Sequence, residues 1–184
     1  MGDVTTNATT GYTDTHCHLY DTRGVAQDDV ITAAHAAGVT TMITVGCDAT
    51  TTASAIDTAS RYDGIYATAG LHPHEAKFGV DTIVEFLDDP HVIAIGECGL
   101  DYYYDHSPRS IQRDVFAAQI QLAHARGLPL IVHTRDAWAD TMLRTDLDEL
   151  LDLVMPAHCS WCVQVVETIE FGATDAGFDT AGFA

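Results

Sequence analysis

The chain has 184 residues, 47% hydrophobic and 19% charged, which supplies one sizeable core and excludes a disordered, collagenous or coiled-coil chain. Eight Lys and Arg stand against 27 Asp and Glu, a formal charge of -19, with Lys77 as the sole lysine. Such a surface repels polyphosphate at long range, so any nucleic-acid role has to rest on a local, metal-bearing site and not on a broad basic face.

Short β-rich runs alternate with longer helical stretches along the chain. The runs Tyr12 to Thr15, Thr40 to Val45, Ile65 to Ala69, Val92 to Ile95, Leu130 to Val132 and Leu153 to Ala157 are predicted strands. Helices are predicted at Asp28 to Ala37, Thr50 to Arg61, Asp81 to Asp88, Ser110 to Arg126 and Ala137 to Leu151. In the clearest of these, Ile111, Val115, Ala118, Leu122 and Ala125 recur at helical spacing beneath a Ser110 cap, and Gly127 with Pro129 ends it. Nearly continuous apolar strands separated by helices imply a parallel sheet covered on one face, either a (β/α) barrel or a doubly wound sheet. Neither a G-x-G-x-x-G nor a Walker A pattern is present, which weakens the nucleotide-binding doubly wound folds.

No stretch approaches the roughly 18 consecutive apolar residues of a membrane span, and the opening MGDVTTNATTGY carries neither a charged start nor an apolar segment. The chain is expected to be cytoplasmic with no membrane partner, as a single domain over residues 1–184 in which residues 1–11 are a disordered polar N-terminus. Five cysteines form no disulfide framework, because the count is odd and most lie in or just after apolar runs. Cys159 and Cys162 have metal or redox spacing, but no second such pair accompanies them.

The polar residues decide between the two parallel folds. His16 and His18, then His72 and His74, Glu97, His133 and His158 each follow a predicted strand at its carboxyl end, where a (β/α)₈ barrel builds its active site. Residues two apart on a strand share a face, so His16 and His18 project together and can hold one divalent ion. A carboxylate with the apolar approach of Glu97 is costly to bury unless paired or metal-bound, and it suits a bridge between two ions. His35, His91, His106 and His124 lie away from strand ends and read as surface or packing residues. His72 and His74 are either ligands or phosphate contacts, or members of a structural turn around Pro73. Arg135, two residues past His133, offers a fork for a phosphate, or else a salt bridge to one of the many carboxylates.

These blocks resemble the TatD family of metal-dependent deoxyribonucleases: DTHCHLY from Asp14, VGCD from Val45, GLHPH, AIGECGLDYY from Ala94, the Gln112, Phe116 and Gln119 pattern, LPLIVHTRDA from Leu128, and His158-Cys159. The resemblance implies a TIM barrel, two divalent ions (Mg, Mn or Zn) and hydrolysis of phosphodiester bonds in DNA, commonly from a 3′ end. It further implies His16 and His18 as ligands of the first ion, Glu97 as the bridge, and His133 and His158 as ligands of the second. Glu97 and Arg135 are then the catalytic candidates, with His72, His74 and Arg135 contacting substrate. Two departures stand out: HCSWC at His158 replaces the family's usual HCFSG, and complete barrels take about 250 residues. Gly172 to Phe183 resembles the entry to a seventh strand, and the family's Asp on strand eight has no counterpart, with Asp175 and Asp179 the only stand-ins. The chain is therefore expected to be an incomplete barrel of about seven strands, truncated at its C-terminus. Another amidohydrolase-like activity on a small ester or amide and a non-catalytic remnant are the alternatives, although the first lacks a candidate carboxylated lysine.

Overall fold

A computed structural model describes residues 11–144 and 163–167, with side-chain surroundings given for residues 11–142. The strands are β1 (Tyr12–Cys17), β2 (Val39–Val45), β3 (Ile65–Ala69), β4 (Val92–Asp101), β5 (Leu130–Arg135) and β6 (Val163–Glu167). The helices are α1 (Gln27–Ala36), α2 (Ala49–Arg61), α3 (Asp81–Val84), α4 (Arg109–Arg126) and α5 (Trp138–Arg144). All six strands are parallel, and their order in the sheet is their order in the chain, as in the wall of a (β/α) barrel.

Local chemistry accounts for the elements. Asp48 caps α2 by accepting the Thr51 N–H at 2.7 Å, while Thr51 Oγ1 accepts the Asp48 N–H at 2.9 Å, a reciprocal box that satisfies two orphan donors. Gly127 closes α4 at φ 63°, a left-handed conformation that costs glycine little. The sheet buries both faces. Met42, Ile95, Leu130 and Val132 pack with Phe116 of α4, and the alternate residues Val45, Ala94 and Ile131 form a small cluster of their own. Phe116 is fully buried and contributes about 1.5–3 kcal/mol by leaving water.

Three expectations need correction. The predicted helix from Asp81 to Asp88 is a single α-turn, α3, followed by a 3₁₀ turn at Glu85–Asp88. The long helix begins at Arg109 behind Pro108, with no side-chain cap. Its buried stripe is Gln112, Val115, Phe116, Gln119 and Ala123, whereas Ile111 and Ala125 are exposed. The periodicity reading excluded glutamines from the stripe, but these two find backbone partners and so are buried at little cost. The fourth strand was expected to end at Ile95 and instead runs six residues further, through Gly96, Glu97 and Gly99, to Asp101.

The predicted strand at residues 153–157 lies outside the described residues, and β6 is a strand that the pattern did not foretell. No described helix is long and apolar enough to cross a membrane.

Candidate metal centre

The extension of β4 delivers Glu97 into the sheet's carboxyl end, 6% exposed. Its two oxygens face different partners. Oε1 meets His133 Nδ1 at 3.0 Å and His72 Nε2 at 3.9 Å, while Oε2 meets His16 Nε2 at 3.4 Å and His18 Nε2 at 3.9 Å. His16, His18 and Glu97 form one potential ion-binding trio and His72, Glu97 and His133 another, each with ligand atoms within 4.8 Å of one another. The structure thus brings together His16, His18, Glu97 and His133, adds His72, and leaves His158 outside the described residues, with Cys159, Cys162, Asp175 and Asp179.

The donor chemistry fits divalent cations. His18 Nδ1 lies 3.2 Å from the Val45 carbonyl, which can only accept, and 2.8 Å from the Tyr20 hydroxyl; with the proton on Nδ1, Nε2 turns a lone pair toward Glu97. Facing lone pairs on an imidazole and a carboxylate repel, and a cation between them converts that repulsion into coordination. His16 Nδ1 is buried with no partner among the described residues, so its ring has no protein neighbour competing on that side. His133 places Nε2 3.3 Å from Asp101 Oδ2 while Nδ1 faces Glu97, and a neutral imidazole has only one N–H for these two carboxylates.

The same contacts set the ionisation of the carboxylate. Burial alone raises the Glu97 carboxyl, but hydrogen bonds with His133 and His16, with His72 close by, override it and hold it far below the usual carboxylate range. Burial is also the main reason that the His72 imidazole is pushed down to about 3, with the neighbouring His133 ring adding to it. Cys47, 3.8 Å from Glu97 Oε2, is pushed up to about 12, first by burial and then by that carboxylate.

Asp101 is a second buried carboxylate that pattern reading missed. Its Oδ1 accepts the backbone N–H groups of Tyr103 and Tyr104 at 3.0 and 2.9 Å, and its Oδ2 lies 2.8 Å from His74 Nε2. Burial raises its carboxyl, but the Tyr104 N–H and His74 more than offset that, and it is held low. His74 is therefore tied to Asp101, whereas His72 faces Glu97. His106, read as a surface or packing residue, is exposed and sets its ring 4.6 Å from that of His74. Arg135 is 8% exposed and its guanidinium lies over the Tyr103 and Tyr104 rings, at 4.2 and 4.4 Å.

Two glutamines on one face of α4 hold the loops that carry these groups. Gln112 accepts the Asp101 N–H at 2.8 Å and donates to the Asp101 carbonyl at 3.0 Å and the Ser107 carbonyl at 2.8 Å. Gln119 does the same for Leu71, accepting its N–H at 2.9 Å and donating to its carbonyl at 3.0 Å, one residue before His72. A cavity of about 370 Å³ opens beside His18, Tyr20, Cys47, His72, His74 and Glu97.

The model of the family described as TatD related DNase matches residues 13–161. The chain belongs to the TatD family. It is 40% identical over 156 residues to YabD of Bacillus subtilis, an uncharacterized metal-dependent hydrolase, covering 79% of this chain and 59% of that protein. It is 36% identical over 139 residues to the 3′-5′ ssDNA/RNA exonuclease TatD of Salmonella typhimurium, covering 72% and 53%. Among solved structures, the TatD homolog YJJV of Escherichia coli aligns with a TM-score of 0.65 at 30% identity, over 76% of this chain and 56% of that one. A TatD family hydrolase of Entamoeba histolytica, 23% identical, shows the same fold at a TM-score of 0.63, over 78% and 55%. This TatD-family chain thus has the TIM-type barrel architecture and spans little more than half the length of the curated relatives it matches.

Proposed function

We propose that this chain hydrolyses phosphodiester bonds in nucleic acid with two divalent ions that Glu97 and the imidazoles around it would hold, releasing nucleotides from a 3′ end of DNA. The observation that carries the reading is the division of Glu97: one oxygen faces His133 and His72, the other His16 and His18. In this reading His16 and His18 would hold the first ion, His133 the second with His72 or His158, and the mixed nitrogen and oxygen set would accept Zn²⁺, Mn²⁺ or Mg²⁺. Divalent ions there supply a water of lowered pKa and neutralise charge on the phosphate oxygens.

The chain's own residues do the rest. Glu97 stays ionised throughout the working range, because its hydrogen bonds outweigh its burial. Val45 and Tyr20 fix the His18 ring through contacts of 3.2 and 2.8 Å to Nδ1. Asp101 holds His74 and His133 in register, and Arg135, packed against the Tyr103 and Tyr104 rings, is the planar cation that a phosphate oxygen would meet in this reading.

The test is release of nucleotides from end-labelled single-stranded DNA with and without Mn²⁺, beside Glu97→Gln. Metal-dependent release, abolished by EDTA and lowered at least about 100-fold in the variant together with its divalent uptake, supports the reading. Release that survives EDTA or the substitution overturns it. Ion uptake by the wild type with no turnover on any strand assigns the chain to the non-catalytic alternative.

A further inference from the structure

The fold leaves two aromatic rings in water beside the metal centre. Tyr103 and Tyr104 are 53% and 44% exposed, although they lie just two and three residues past Asp101, which is fully buried. They are not loose side chains. The Asp101 carboxylate fixes the backbone beneath both through their N–H groups. The Arg135 guanidinium lies over both rings, and Tyr104 also stacks on His106 with ring centroids 5.4 Å apart and planes 9° from parallel. Tyr104 meets the His74 ring edge-on at 5.5 Å, and His74 lines the cavity next to Glu97.

Tyr104 is thus engaged by His74, His106 and Arg135, whereas Tyr103, the more exposed of the pair, has Tyr104 and Arg135 as its ring contacts among the described residues. An exposed, pre-ordered ring backed by a guanidinium matches the free face of an unpaired nucleobase. A chain of formal charge -19 gains little from long-range attraction to a polyanion, so its hold on a strand has to come from contacts indifferent to net charge. Base stacking is such a contact, and it is available only to a base whose face is free.

We propose that Tyr103 is the stacking platform for an unpaired base of single-stranded nucleic acid, with Arg135 bracing the ring so that the neighbouring phosphate is led toward Glu97. The proposal deepens the nuclease reading and rests on it for the identity of the ligand. Duplex ends, whose bases cover one another, are correspondingly poor occupants.

Binding in EDTA separates stacking from turnover. The probe is a single-stranded oligonucleotide with a fluorescent 2-aminopurine at its 3′ end, compared with the same strand ending in an abasic residue. Wild type is expected to quench the 2-aminopurine and to bind the abasic strand more weakly. Tyr103→Ala is expected to weaken binding of the intact strand by roughly 5- to 150-fold, the span that base–aromatic stacking supplies. It should leave the abasic strand and the melting temperature unchanged, and Tyr103→Phe should bind like wild type. No quenching, equal affinity of wild type for both strands, or full affinity in Tyr103→Ala overturns the proposal. A strand that is stacked but never cleaved when Mn²⁺ is added sinks the nuclease reading alone. Cleavage with an unaltered KM in Tyr103→Ala sinks the platform alone.

Discussion

Replacing Gln119 with Met keeps the volume of the side chain and removes both of its polar groups. In the structure Gln119 is fully buried, and its amide satisfies the N–H and the carbonyl of Leu71, itself in the core. Each buried backbone group left without a partner costs about 1–3 kcal/mol. The two together set the loss at about 2–4 kcal/mol, once the relief of no longer burying an amide is allowed for. That is a large part of the 5–15 kcal/mol typical of a domain. Urea unfolding followed by far-UV circular dichroism should show a lower midpoint with an unchanged slope, since the surface exposed on unfolding is the same. The loop that Gln119 holds carries His72, so calorimetric titration with Mn²⁺ should also show weaker uptake. A loss below about 1 kcal/mol would mean that water or a shift of the loop satisfies Leu71 just as well, and the account of Gln119 as a clamp would be wrong.

Two further outcomes follow from the same geometry. In the metal-free chain His72 should stay neutral at pH 5 by ¹⁵N NMR, because its folded pKa, about 3, lies below that of an unfolded histidine at about 6.5. The unfolded state then binds the proton first, so stability rises with pH between those values and falls on acidification. His72→Asn should flatten that slope by about one proton, near 1.4 kcal/mol per pH unit, and an unchanged slope would refute it. In the second, Gly99→Ala places a methyl group against the carbonyl of His133 at a backbone φ of +134°, a conformation open essentially to glycine. The expected result is a fall of several degrees in melting temperature together with weaker divalent uptake, and a variant as stable as wild type would contradict the β4–β5 register.

Most of the sheet is readable from the sequence because β2 to β5 contain largely apolar runs, and the site is readable because imidazoles and one carboxylate stand at the carboxyl ends of such runs. His16, His18, Glu97 and His133 were singled out from their places at strand ends, and the structure gathers them within reach of one carboxylate. Asp101 is not legible in this way, since glycines at 96 and 99 have no strand preference and the apolar run ends at Ile95. With the strand cut short, the second carboxylate fell in what looked like a loop. Gln112 and Gln119 were noted only as part of the family pattern, because their bonds are to backbone groups on other elements and leave no trace in periodicity. The engagement of Arg135 with Tyr103 and Tyr104 likewise depends on the register of β5 against the end of β4, where Arg135 stands opposite Asp101.

Because every described strand lies next to the one that precedes it in the chain, a ribosome delivers this sheet in the order in which it is built. Each emerging strand meets an edge already laid down, and helices such as α2 and α4 cover the seams that follow β2 and β4, whereas only short turns lie between β3 and β4. Growth of this kind closes only short loops at each addition, which keeps the entropic barrier of every step small even though the described sheet is wholly parallel.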